Sequence, residues 1–203
     1  KRIGDARLHF PNAVRSDILE PDDMRLFKKA GTVTLCFAIE TASPRLQKMV
    51  HKNLDIEKAS RAIEAAVKEG IYSTGYFMIG FPTETYQEAQ STVRFAARSS
   101  LHRALFFNPR PFEGTELAEM AKEALRGEKA NLDPRVMNYH TSTLNISAMS
   151  DKELQQIFRE AYRKFYIHPK RILRLMKLII LHPHVFSIKR LQIMFIKTFL
   201  LKR

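Results

Sequence analysis

Cysteine is almost missing from this chain: Cys36 is the single one in 203 residues. One thiol excludes an internal disulfide and any metal centre built from cysteines of this chain alone. It fits a reducing, cytoplasmic compartment. A run of about 20 uninterrupted apolar residues is also missing, so no membrane-spanning helix is expected. The amino end, Lys1-Arg-Ile-Gly-Asp5, is charged and has no apolar leader stretch. The seven histidines show no ligand spacing on a helix, His182-Pro-His184 being the nearest approach to one. There is no Ser-His-Asp arrangement, no Walker loop and no dinucleotide-binding glycine fingerprint. Acidic residues stop at Glu160: residues 161–203 carry eleven basic side chains and no acidic one. Eleven of the thirteen net positive charges therefore sit in the tail, and the rest of the chain is nearly neutral.

What is present is an alternation of strand and helix signals over residues 1–127, the pattern of βα units on a parallel sheet. Strands are expected at 7–10, 32–39, 72–79 and 102–108, rich in β-branched and aromatic residues. The first is followed by a loop, Pro11-Asn-Ala-Val-Arg-Ser-Asp17. The helix after it has Pro21 at its first position, Asp22 and Asp23 in its first turn, Lys28 and Lys29 in its last, and Gly31 beyond. These are the residues that helix capping and the macrodipole favour. Ser43-Pro44 opens a short helix and Asp55 caps a longer one closed by Gly70. Thr85-Tyr-Gln-Glu88 is a capping box for the next helix, and a fifth helix spans 115–126 before Gly127. Residues 128–149 read as a linker. A second capping box, Ser150-Asp-Lys-Glu153, starts a helical extension over 150–203, punctuated by His168-Pro169 and His182-Pro183. The fold expected is α/β: four βα units of a partial parallel barrel, with an α-helical carboxy-terminal extension.

Parallel α/β barrels keep their ligands at the carboxyl ends of the strands. Two strands here end on carboxylates, Phe37-Ala-Ile-Glu40 and Gly75-Tyr-Phe-Met-Ile-Gly-Phe-Pro-Thr-Glu84, and a third runs into Asn108-Pro-Arg-Pro-Phe-Glu-Gly-Thr-Glu116. Each candidate also has a plainer reading. Glu84 suits the first turn of a helix, Lys52 a solvated helix end, Arg15 a loop-anchoring ion pair, and Cys36 a small core position.

In order and spacing these motifs resemble the later part of the barrel of radical S-adenosylmethionine (SAM) enzymes, of the type that carries a cobalamin-binding domain. The resemblance covers about residues 7–125. It implies a [4Fe–4S] cluster held by a Cys-x3-Cys-x2-Cys loop that this chain lacks, with SAM on the fourth iron. The chain then reads as a fragment of a longer protein, inactive alone, with cobalamin in a separate preceding domain. By the same resemblance Asn12 and Arg15 lie on the loop facing substrate and SAM, and Glu40 lies near the ribose. Lys52 pairs with the SAM carboxylate. Tyr76 stands where some relatives place an Asp for the ribose hydroxyls. Met78, Ile79 and Gly80 pack on adenine, and the backbone of Asn108, Pro109 and Arg110 meets the adenine edge. Ala13, Ala38, Asn53 and Thr83 stand where relatives usually have Gly, whose missing Cβ permits close backbone approach. A second reading is therefore a non-catalytic, degenerate barrel that binds a partner through its tail.

In that tail Lys170, Arg171, Arg174 and Lys177 read as one broad basic face, with Ile172, Leu173, Leu175, Met176, Ile179 and Ile180 over the rest. The expected partners are an anionic membrane surface along 167–203 or an apolar surface of another domain. Nucleic acid is disfavoured because no aromatic stacking platform accompanies the charges.

Overall fold

The computed structural model describes residues 6–125 and 145–181. Four parallel strands form one sheet in sequential order: β1 (Leu8–Val14), β2 (Thr32–Glu40), β3 (Tyr72–Met78) and β4 (Arg103–Phe107). Helices α1 (Pro21–Lys29), α2 (Pro44–Met49), α3 (Ile56–Lys68) and α4 (Tyr86–Arg98) fill the crossovers. After β4 come α5 (Glu116–Ala124), α6 (Asp151–Tyr166) and α7 (Pro169–Leu181). The α/β reading with four βα units holds. The segment 126–144 and everything from His182 on, including the helix expected there, lie outside the described residues.

Most expected boundaries shift by only a residue or two, but β1 runs on to Val14, through the segment read as a loop. Pro11 is tolerated there because β1 is at the sheet edge, where a missing N–H breaks no ladder on the open side. The register between Phe10 and Val14 is irregular accordingly.

Burial alternates along the strands and divides the sheet into two unlike faces. Leu35, Phe37 and Ile39 of β2, Phe77 of β3, and Ala104 and Phe106 of β4 pack with Met24, Ile63, Val93, Leu154, Ile157 and Phe165 of the helices in one core. Phe77 and Phe106 stack at 5.3 Å between ring centroids. The other face, with Thr34, Ala38, Tyr76, Met78, Leu105 and Phe107, is only half-buried. A parallel sheet covered by helices on one side is the arc of a barrel seen from outside, and the half-buried face is its interior.

α6 lies beside β4 and α4, antiparallel to the strands. It begins near Gly80, whose position a Leu154 methyl approaches, and ends where the hydroxyls of Tyr162 and Tyr166 bond Phe106 N and Ala104 O. At that end Arg171 of α7, 2% exposed, donates to the carbonyls of Ser99 (2.9 Å), Ala97 (3.0 Å) and Leu101 (3.0 Å), and to that of Phe165. Its guanidinium lies 3.5 Å over the Phe165 ring. A cation at the exposed carbonyls of a helix carboxyl end satisfies groups that the helix cannot pair itself. The basic face expected on α7 is thus split: Arg171 turns inward, Arg174 donates to Ser100 O, and apolar residues face out. Nearby, His102 is buried and accepts from Ser73 N at Nδ1, and burial pushes its pKa down to about 4, so it is neutral.

Removing this cation would strand several buried carbonyls. Arg171→Met is expected to lower the urea-unfolding free energy by about 3 kcal/mol, and a loss under about 1 kcal/mol would contradict the capping role.

Candidate functional site

The carboxyl ends of β2 and β3 hold the unusual backbone. Among the described residues four non-glycine positions have positive φ: Glu40 (64°), His51 (53°), Asn53 (47°) and Thr83 (60°). All four lie at this end of the sheet. Such conformations cost about 1 kcal/mol or more each and persist where surroundings enforce them.

At Glu40 the enforcement is visible. Thr41 N donates to Ile39 O at 2.9 Å, closing a three-residue turn around Glu40, the strained form with positive φ at its centre. Buried Gln47 of α2 holds both flanks: its Nε2 donates to Ile39 O (2.9 Å) and Thr41 O (2.6 Å), and its Oε1 accepts from Leu54 N (3.1 Å). The Gln47 carbonyl accepts from Lys52 N (3.0 Å) and Asn53 N (3.1 Å). One amide side chain and its own carbonyl thereby fix the strand end and the loop bearing Lys52. Lys52 Nζ reaches Glu40 Oε1 at 2.9 Å, with about a fifth of each side chain exposed. Lys52 is therefore a paired lysine and not a solvated one. Glu40 Oε2 and the other ammonium protons remain for a ligand.

The β3–α4 turn is set by Glu84. Its Oε2 accepts from Gly80 N (2.5 Å) and Phe81 N (3.0 Å), and the side chain is fully buried. Its other oxygen has no hydrogen-bond partner. Burial pushes the carboxyl up to about 7; the Gly80 and Phe81 amides act against this, Glu88 adds to it, and Arg45 opposes it. The expectation of a carboxylate serving the α4 dipole is replaced: Thr85 and Glu88 form the capping box, and Glu84 turns back to hold the loop. Gly80, at φ 103°, lets Asn108 approach and donate from Nδ2 to Ile79 O at 3.1 Å. Across this turn Arg45 binds Glu88 (2.7 and 2.8 Å) and the Thr83 carbonyl (2.9 Å). Glu88 is driven down to about 2, chiefly by that guanidinium.

On the inner face Tyr76 spans the sheet. Its hydroxyl donates to Pro11 O of β1 at 2.8 Å, and its ring meets Phe107 edge-on at 5.8 Å. With half-buried Met78 beside them, the aromatic rings give the interior an apolar wall next to the Glu40–Lys52 pair. Burial, with Cys36 alongside, raises the Tyr76 hydroxyl to about 12. Arg15 makes a bidentate pair with Asp17 (2.8 and 2.9 Å) and touches Asn53 O at 3.4 Å, so it anchors β1's exit to the Lys52 loop. Burial alone would raise Asp17, but Arg15 and the Asp55 amide outweigh it and leave the carboxyl below its usual range. Asn12 is exposed on the edge strand, Ile79 and Pro109 are buried, and Arg110 is half-buried after β4.

The structure thus brings together Glu40, Lys52, Tyr76, Met78, Gly80 and Asn108 at one end of the sheet, with Arg15 holding the adjoining loop. Sequence reasoning missed Gln47 and the Arg45–Glu88 pair. Their signal was thin: a Gln and an Arg in a six-residue helix that starts right after a strand ending in a carboxylate.

Residues 10–96 match the family model described as the Radical SAM superfamily. An uncharacterised methyltransferase of Pyrococcus horikoshii is 31% identical over 171 residues, which is 82% of this chain and 35% of that protein. Cytidylyl-2-hydroxyethylphosphonate methyltransferase of Streptomyces wedmorensis is 27% identical over 66% of this chain and 26% of its own length. Anaerobic magnesium-protoporphyrin IX monomethyl ester cyclase of Rubrivivax gelatinosus is 27% identical over 75% of this chain and 27% of its own. Over residues 10–96 the chain carries the radical SAM superfamily match, and it spans about a quarter to a third of the curated relatives it matches.

The side chains present fit one of that superfamily's two groups. An ammonium and a half-free carboxylate beside an aromatic wall suit a ligand with a carboxylate, ribose hydroxyls and a purine. An iron–sulfur cluster finds no set of ligands among the described residues, where Cys36 is buried in mid-strand and no group of metal-binding side chains gathers.

Two substitutions test the β3–α4 turn. A Cβ at Gly80 would stand 2.5 Å from Asn108 Nδ2, at a φ that L residues avoid. Gly80→Ala should therefore cost about 2–4 kcal/mol in denaturant unfolding. For Glu84 the folded pKa of about 7 lies above the ordinary 4.5, so its stabilisation is present below 4.5 and lost as pH rises through 7. Wild type should lose stability relative to Glu84→Gln between these pH values, by on the order of 3 kcal/mol. A difference independent of pH would refute the protonated folded form.

Proposed function

We propose that this chain is the SAM-holding part of the barrel of a radical SAM enzyme. When bound, SAM supplies radical hydrogen abstraction once reductively cleaved at a [4Fe–4S] cluster whose ligands lie outside this chain. The observation that carries the reading is the clustering of strained backbone around the Glu40–Lys52 pair. Strain enforced by buried hydrogen bonds marks a position selected for what its side chain does.

In this reading Lys52 pairs with the carboxylate of the ligand, a charge-assisted contact in a half-buried setting. Glu40 keeps one oxygen on Lys52 and accepts ribose hydroxyls with the other. The apolar ends of β3 pack on the purine, and the turn locked by Glu84 holds Gly80 and Asn108 at its edge. Tyr76 contributes wall and no donor, because its proton is committed to Pro11 O. Arg15 orders the loop that carries Lys52 and acts as a positioning residue.

The second reading, a non-catalytic barrel, leans on residues that replace usual glycines. Asn53 and Thr83 nevertheless retain positive φ, so the backbone shape survives those replacements. This supports the ligand-holding reading.

S-adenosylhomocysteine is the probe, with calorimetry of the 203-residue chain as the assay. Glu40→Gly should weaken binding about tenfold or more while leaving stability within about 1 kcal/mol, since relief of strain offsets the lost ion pair. Lys52→Met should lose a similar factor. Unchanged affinity in both variants, or no binding by the parent chain, would favour the non-catalytic barrel.

A further inference from the structure

α7 has two unlike sides, and only one is explained by the barrel. Arg171 and Leu175 face inward and are buried. On the far side Ile172, Leu173, Met176 and Ile180 are 44, 67, 54 and 74% exposed. Their spacing places them along one stripe of the helix. A contiguous exposed apolar stripe on a helix held this firmly points to something that covers it. Among the described residues no helix is long and apolar enough to cross a membrane.

Charge narrows the occupant. α7 carries no acidic residue, Lys170 is exposed at its start, and Arg163 is exposed on the last turn of α6, where Lys164 pairs with Glu160 at 2.8 Å. From residue 161 to 203 the chain has eleven basic residues and none acidic. We propose that this face docks on an anionic lipid surface, its aliphatic side chains at the headgroup boundary and the flanking cations on lipid phosphates. A second copy of the chain fits worse. Pairing two such helices would oppose cations with no acid to neutralise them, and four side chains fall well short of the ~800 Å² per partner of a stable interface. Nucleic acid would engage the cations and leave the apolar stripe unexplained.

The attachment also sets an orientation. Arg171 and Arg174 fasten α7 to carbonyls between residues 96 and 101, before the amino end of β4. Glu40, Met78 and Asn108 lie at the opposite, carboxyl ends of the strands. Docking through α7 therefore leaves the ligand-holding end facing solution, away from the lipid.

The sequence has no tryptophan, so Met176→Trp installs a single reporter on the stripe. In the full chain its emission should shift to the blue on adding vesicles of phosphatidylcholine with phosphatidylglycerol, and not with phosphatidylcholine alone. In flotation, the combined Leu173→Ser, Met176→Ser and Ile180→Ser variant should lose about tenfold or more of the binding to the anionic vesicles. Its melting curve should be unchanged, because these side chains are exposed. Unshifted emission would overturn the proposal. So would flotation undiminished in the triple variant, which moves the lipid contact off α7. Ultracentrifugation showing a dimer that the triple variant dissociates would assign the stripe to a second copy instead.

Discussion

The Glu84 carboxyl group, buried and bonded to the amides of Gly80 and Phe81, is the constraint on which most of the ligand-facing end depends. It closes the turn that takes the chain from β3 into α4. With the turn closed, Gly80 adopts a conformation that only glycine holds comfortably, and Asn108 fits against it to bond Ile79 O. That bond adds a side-chain tie between the ends of β3 and β4, beside Ile79 N on Phe107 O. The Glu84 carbonyl accepts from Ala148 N, which docks the start of the helical extension on the same turn. A buried carboxyl with one unpaired oxygen is expensive. Its cost is moderated because burial itself favours the neutral form.

The two ends of the sheet are built on opposite principles. At the amino ends, neutral His102, the tyrosine hydroxyls of α6 and the Arg171 cap satisfy buried groups with relaxed backbone. At the carboxyl ends, strain accumulates at Glu40, His51, Asn53 and Thr83 and is held by Gln47 and Arg45. Proteins keep strain where side-chain placement matters more than stability. The asymmetry agrees with barrels in general, whose stability and ligand-binding faces lie at opposite ends.

Much of this fold was legible because local signals agreed with one another. Ser43, Asp55, Thr85, Thr115 and Ser150 all cap the helices that their positions suggested, and strand composition located all four strands. Periodicity failed where it had to choose between two apolar-and-basic faces. On α7 it gathered Arg171 with Lys170, but an arginine can be buried when a helix end offers it carbonyls, and that offer comes from residues some seventy positions away. Gln47 was hidden for the same reason: its partners are backbone groups, which leave no mark in sequence. Glu84 was visible as a carboxylate after a Gly-x-Pro turn, while its inward direction follows from the Gly80 and Phe81 amides that it turns back to bond.

The central claim is that the carboxyl ends of β2 and β3, and the Lys52 loop between them, form a SAM-holding surface. Amide hydrogen exchange on the 203-residue chain, with and without S-adenosylhomocysteine, tests it directly. Protection confined to segments 38–42, 50–54 and 76–84, with α1, α3 and α7 unaffected, is the predicted result. Protection elsewhere, or none at ligand concentrations that saturate calorimetric binding, would contradict it.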